Sequence, residues 1–172
     1  MKKTILVALF AFCICGVVSH YLALSGLPKL IMAQAIERIE SNGAKFHQWV
    51  ASPKITPKLR SIVRPSPDLS YSVCLFDIST RPITLSVPRS SGYGSLSVFQ
   101  ADTENVFVGS LDGDGTLEVT VSLEGQTDTL QENAVTLNSA IGIALVRRIA
   151  TSQEAYDRSV ELTSTSSCAP VL

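Results

Sequence analysis

Leu117-Glu118-Val119-Thr120-Val121-Ser122-Leu123 shows in seven residues the pattern from which the fold class follows. Apolar Leu117, Val119, Val121 and Leu123 alternate with polar Glu118, Thr120 and Ser122, the period of two that turns one side of a β-strand toward a core. Two other stretches repeat it. Tyr71, Val73 and Leu75 alternate with Ser72, Cys74 and Phe76, and Ile83, Leu85 and Val87 alternate with Thr84 and Ser86. The first-named set of each is expected to be the buried face. Further strands are predicted at 95–100, 105–108, 134–137 and 142–149. Turn signals separate them: Arg81-Pro82, Ser90-Ser91-Gly92, Leu111-Asp112-Gly113-Asp114-Gly115 and Glu124-Gly125-Gln126. About seven or eight short strands at this spacing predict a mainly β protein, a small antiparallel sandwich or jelly roll.

Beyond the strands the period returns to that of a helix. Thr151-Ser152-Gln153-Glu154 reads as a capping box, and Ala155, Tyr156, Ser159, Val160 and Thr163 follow at three- and four-residue spacing. A short helix packed on the sheet is expected there.

Upstream, Met1-Lys2-Lys3 precedes Ile5 to Leu24, whose only clearly polar members are Ser19 and His20. As a helix this run is about 30 Å long, the thickness of a bilayer's hydrocarbon core. Two readings fit, an uncleaved anchor and the apolar part of a cleaved signal peptide. The anchor is favoured, because the run is long for a signal and helical periodicity continues through Ile31-Met32 to Ile36 and Ile39. Lys2 and Lys3 would stay cytoplasmic, with Lys29 and Arg38 as weaker charges on the far side. Cys13 and Cys15 lack the small preceding residue of a lipoprotein signal and read as apolar filler.

The chain has 172 residues, 45% hydrophobic and 17% charged, with a net charge of -1. That excludes a disordered chain and leaves no phosphate-neutralising surface, so no nucleic-acid partner is expected. The mean hydropathy of +0.27 is an average over unlike parts. From Lys45 to Arg64 five basic residues (Lys45, Lys54, Lys58, Arg60, Arg64) occur without an acid, whereas residues 65–172 hold 5 basic and 13 acidic side chains. With Pro53, Pro57, Pro65 and Pro67, the basic stretch reads as a solvated linker, and it is also suited to anionic head groups. The expected organisation is a cytoplasmic tip at 1–4, a transmembrane helix at 5–24, a helical stalk and Pro-rich basic linker at 25–66, and a periplasmic β-domain with the C-terminal helix at 67–172.

Absences constrain the chemistry. His20 and His47 are the only histidines and Lys58 is the last lysine, so the strand domain contains neither. Ser-His-Asp, His-metal and lysine-dependent chemistry cannot be built within it, and no metal or cofactor is predicted. This favours binding over catalysis. Carboxylates remain: Asp68, Asp77, Asp102, Asp112 and Asp114. Asp112-Gly113-Asp114-Gly115 resembles a calcium loop but has Ser110 and Val121 where that loop needs ligands, so it reads as a turn. Arg147-Arg148 is a conceivable anion site. In a strand the two point to opposite faces, so at most one enters a given pocket. Cys74 and Cys168, the only cysteines beyond the apolar run, are a pair to be expected in an oxidising compartment. The alternative is one buried and one exposed thiol.

Pro67-Asp68-Leu69-Ser70-Tyr71-Ser72, Phe76-Asp77-Ile78-Ser79, Pro82 and Val87-Pro88 resemble blocks of the bacterial family called domain of unknown function 1254 (DUF1254). Tyr93 to Phe99, Asp102 to Phe107 and Gly142 to Ile149 look like its later blocks, so the resemblance spans roughly residues 46–168. Leu69 and Arg81 depart from the Thr and Gly usual there. The resemblance implies the compact, membrane-anchored bacterial form. It also implies a separately encoded companion of the DUF1214 family, because longer relatives carry that second domain in one chain. Two functions are expected in competition. One is a single-pass inner-membrane protein whose periplasmic β-domain is a binding or assembly module. The other is an envelope enzyme or small-molecule-binding protein with a pocket around Asp68, Tyr71, Asp77 and Asp102.

Overall fold

A computed structural model of the chain describes residues 2–56, 65–126 and 133–171. Pro57, Lys58, Arg60 and Arg64 of the basic stretch lie outside the described residues. The first element, α1 (Lys2–Ser41), is a single helix of 40 residues, about 60 Å long. Its apolar run is exposed throughout. Gly43, at φ 95°, ends it, with its own N–H donating to the Glu40 carbonyl at 2.8 Å and that of Ala44 reaching Ile39.

Nine strands follow among the described residues: β1 (Trp49–Ala51), β2 (Leu69–Asp77), β3 (Ile83–Pro88), β4 (Gly94–Gln100), β5 (Asn105–Ser110), β6 (Thr116–Leu123), β7 (Ala134–Leu137), β8 (Ile141–Ile149) and β9 (Ser167–Pro170). Helix α2 (Gln153–Ser164) lies between β8 and β9. The strands form a five-stranded sheet, β1-β2-β8-β4-β5, and a four-stranded sheet, β7-β6-β3-β9. All pairings are antiparallel except β6 with β7, which run parallel. The protein is therefore a mainly β sandwich with a long apolar N-terminal helix and a short C-terminal one.

The core lies between the sheets. Cys74, Phe76, Leu96, Val98, Ala144 and Val146 from the larger sheet meet Ile83, Leu85, Val87, Val119 and Val121 from the smaller. Gly142 sits directly opposite Phe76 in the β2–β8 pair, and a Cβ there would meet the Phe76 ring and come within 2.5 Å of the Phe99 carbonyl. Only glycine fits that close approach. A bridge between Cys74 on β2 and Cys168 on β9 links the two sheets across 94 residues of chain. Trp49, opposite Cys74 on β1, donates its indole N–H to the Ser167 carbonyl at 2.9 Å and closes the same edge.

Three local readings are corrected. In β2 the inward face is Ser70, Ser72, Cys74 and Phe76, whereas Tyr71 and Val73 are half-buried on the outer face. The helix cap is Ser152, whose Oγ accepts from Ala155 N–H at 3.1 Å, while Glu154 pairs with Arg158 on the surface. Val160 of the expected helix face is exposed, and Ser159 and Thr163 are the buried members. Strands β1 and β9 were not expected; β1 lies inside the stretch read as linker. The outer face of the larger sheet is covered at one end by the last turns of α1. Met32, Ala35, Ile36 and Ile39, at helical spacing, pack with Ala44 and Phe46 over Leu75, Ile143 and Phe99.

Candidate functional site

The four residues singled out as a pocket divide between opposite ends of the larger sheet. Asp68 is exposed just before β2, next to the Leu69–Ile149 pair, and among the described residues only its backbone carbonyl is engaged, accepting from Ala150 N–H at 2.8 Å. Tyr71 is half-buried nearby and its hydroxyl accepts from Ser66 N–H at 2.9 Å. Asp77 closes β2 at the far end, opposite Ile141, about 30 Å along an extended strand. Its carboxylate accepts from Ser79 N–H at 2.8 Å, and this bond above all holds its pKa below the ordinary 3.8. The Ser79 hydroxyl and His47 add to the effect, and partial burial opposes it. Asp102 sits in the β4–β5 turn, accepting from Glu104 N–H at 3.1 Å and from the Gln100 amide at 3.5 Å. Thus Asp77 and Asp102 each tie a turn, and Asp68 and Tyr71 are remote from both.

A different set of polar side chains does converge. Tyr71, Arg147, Ser95 and Ser110 stand opposite one another across β2, β8, β4 and β5, so they share the outer face. The next row on that face is Val73, Leu145, Ser97 and Val108. At the β8–β4–β5 end Arg147, Ser95, Ser97, Val108 and Ser110 floor an open groove of about 570 Å³, walled by Tyr93 and Asp112. Tyr93 is exposed, and its hydroxyl lies 3.5 Å from the Ser95 hydroxyl. Asp112 uses one carboxylate oxygen to accept from Gly92 N–H at 3.0 Å, which fixes that wall. Arg147 is half-buried and its side chain has no ion pair or hydrogen bond among the described residues. Ser97 is 1% exposed and its hydroxyl has no hydrogen-bond partner among the described residues.

Arg148 takes the opposite face, as alternation requires. It is buried, and burial alone lowers its pKa. No acid accompanies it among the described residues; its guanidinium donates to the Ser90 hydroxyl at 2.9 Å and to the Pro88 carbonyl. It thereby holds the β3–β4 connection that carries Tyr93. The sequence signalled Arg147 through its alternation with Arg148. It carried no sign of Ser97, because an alternating serine reads as solvent-facing.

Two sheets, an inter-sheet disulfide and a helical apolar extension define a disulfide-braced β-sandwich. Residues 46–170 match the family described as "Protein of unknown function (DUF1254)", and the chain belongs to that family. Among solved structures, the chain is similar to the VPA0106 protein from Vibrio parahaemolyticus, with a TM-score of 0.66 at 12% identity over 88% of this chain and 36% of that one. A putative uncharacterized protein from Burkholderia cenocepacia aligns at 15% identity over 80% of this chain and 38% of its own, with a TM-score of 0.44. This chain therefore spans well under half the length of either. No curated protein matches it. At these identities the Vibrio likeness establishes the fold alone.

Proposed function

We propose that this is a single-pass inner-membrane protein, anchored through residues 5–24 with its amino terminus cytoplasmic, whose periplasmic β-domain acts as a binding or assembly module for a companion envelope protein. The observation that carries the reading is the continuity of α1. Its apolar, exposed run passes without a break into the turns around Met32, which pack on the sheet. Met32 follows Leu24 by about 12 Å of helix, so an anchored chain would hold the sandwich directly against the bilayer surface. The Cys74–Cys168 bridge supports an oxidising compartment. A companion of the DUF1214 family suits a chain that spans only about a third of its longer structural relative.

The test is fractionation of cells expressing the full chain, followed by cross-linking and purification from detergent. Retention in alkali-washed membranes, protease access from the periplasmic side and recovery with a second envelope protein are expected. Recovery from the soluble fraction overturns the anchor, and recovery only as a free monomer overturns the assembly role. A pocket shared by Asp68, Tyr71, Asp77 and Asp102 has no geometric support, because two of the four lie a strand's length from the others.

A further inference from the structure

We propose that the outer-face groove of the larger sheet binds a small hydroxylated carboxylate through Arg147, Ser97 and Asp112, a site independent of the anchoring argued above. Two separate observations point to a ligand. Arg147 reaches the groove half-buried with no partner among the described residues, so its planar fork of donors is free for a carboxylate, which it can grip through two parallel bonds. Ser97, almost wholly buried in the groove floor, has a hydroxyl with no hydrogen-bond partner among the described residues. Native interiors rarely leave such a group unsatisfied, and a ligand oxygen over the floor would complete it.

The remaining wall sets the ligand's charge. Asp112 has one oxygen taken by Gly92 N–H and the other without a hydrogen bond among the described residues. Lining the same groove as Arg147, it disfavours a dianion such as phosphate by repulsion, whereas a ligand hydroxyl could donate to it. The exposed ring of Tyr93 flanks the same space and offers an apolar surface to a carbon skeleton. One negative charge and adjacent hydroxyls therefore fit better than either alone. The groove's volume of about 570 Å³ suits a single such molecule.

The experiment titrates glucuronate into the full chain in detergent micelles, followed by calorimetry and amide chemical shifts, with acetate, glucose and inorganic phosphate as comparisons. Glucuronate is expected to saturate the groove, with acetate and glucose at least about tenfold weaker because each offers half of the recognition. Arg147→Gln should weaken glucuronate by about 10- to 100-fold while leaving the melting temperature near the wild-type value, since its side chain makes no hydrogen bond or ion pair among the described residues. Ser97→Ala distinguishes a ligand contact from a packing role. It should raise the melting temperature by removing an unsatisfied buried hydroxyl and also weaken glucuronate binding. The proposal is overturned if glucuronate fails to saturate by about 10 mM, if phosphate binds more tightly, or if Arg147→Gln binds within about twofold of wild type.

Discussion

Asp77 ends β2 with its carboxylate turned back onto the chain, accepting from Ser79 N–H at 2.8 Å. The bond exists only for the folded chain, so the folded pKa lies below the ordinary value of 3.8. The unfolded chain then takes up its proton first as pH falls. The stabilising contribution is complete above the ordinary carboxylate range and is lost as pH drops through the lower, folded value. Asp77→Asn, which keeps an acceptor but no charge, should lower stability modestly at neutral pH and flatten the acid limb of a stability-versus-pH curve, so that the two proteins converge as pH falls below about 4. Urea midpoints at stepped pH measure this, and parallel acid limbs would refute it. The residue's type was readable in the sequence as a turn former, but its distance from Asp68 was not. Nothing in the spacing of the carboxylates distinguishes a cluster from residues set at the two ends of one strand.

At the scale of elements, α2 is joined to β2 by hydroxyl pairs. Ser72 and Thr163 share a hydrogen bond of 2.6 Å and Ser70 and Ser159 one of 2.5 Å, all four residues being buried. Thr163 also donates to the Ser159 carbonyl at 2.9 Å. Ser72→Ala or Thr163→Val alone should cost about 1–2 kcal/mol, because the surviving hydroxyl loses a buried partner. The double variant should lose less than the sum, with a coupling of about 1 kcal/mol, measured by a denaturation cycle. Strict additivity would dismiss the pair. These bonds also explain the inverted phase of β2. Its polar-looking residues face inward because a helix supplies hydroxyl partners, and its apolar Val73 and Leu75 face outward because α1 covers them. In β3 and β6, where the inward residues are the apolar ones, alternation located the buried face correctly. Strands β1 and β9, of three and four residues, are too short to carry a period and exist through their partners.

For the whole molecule, the Cys74–Cys168 bridge ties the first long strand to the last short one and so holds the two sheets together at one edge. Replacing both cysteines by alanine should lower stability by about 2–5 kcal/mol in urea denaturation, with most of the effect through the unfolded chain. An unchanged midpoint would count against a bridged native state. The apolar run, the number and order of the main strands, the terminal helix and the candidacy of this cysteine pair were all determined by the sequence alone. Each rests on local hydropathy, periodicity or composition, which neighbours in the chain express without reference to the fold. The parallel β6–β7 pair, the covering of the outer face by α1, the inward face of β2 and the convergence of Arg147, Ser97 and Asp112 were decided only by tertiary structure. These depend on which strands become neighbours and what covers each sheet face, and residues distant in the chain acquire a common environment only after the sheets have formed.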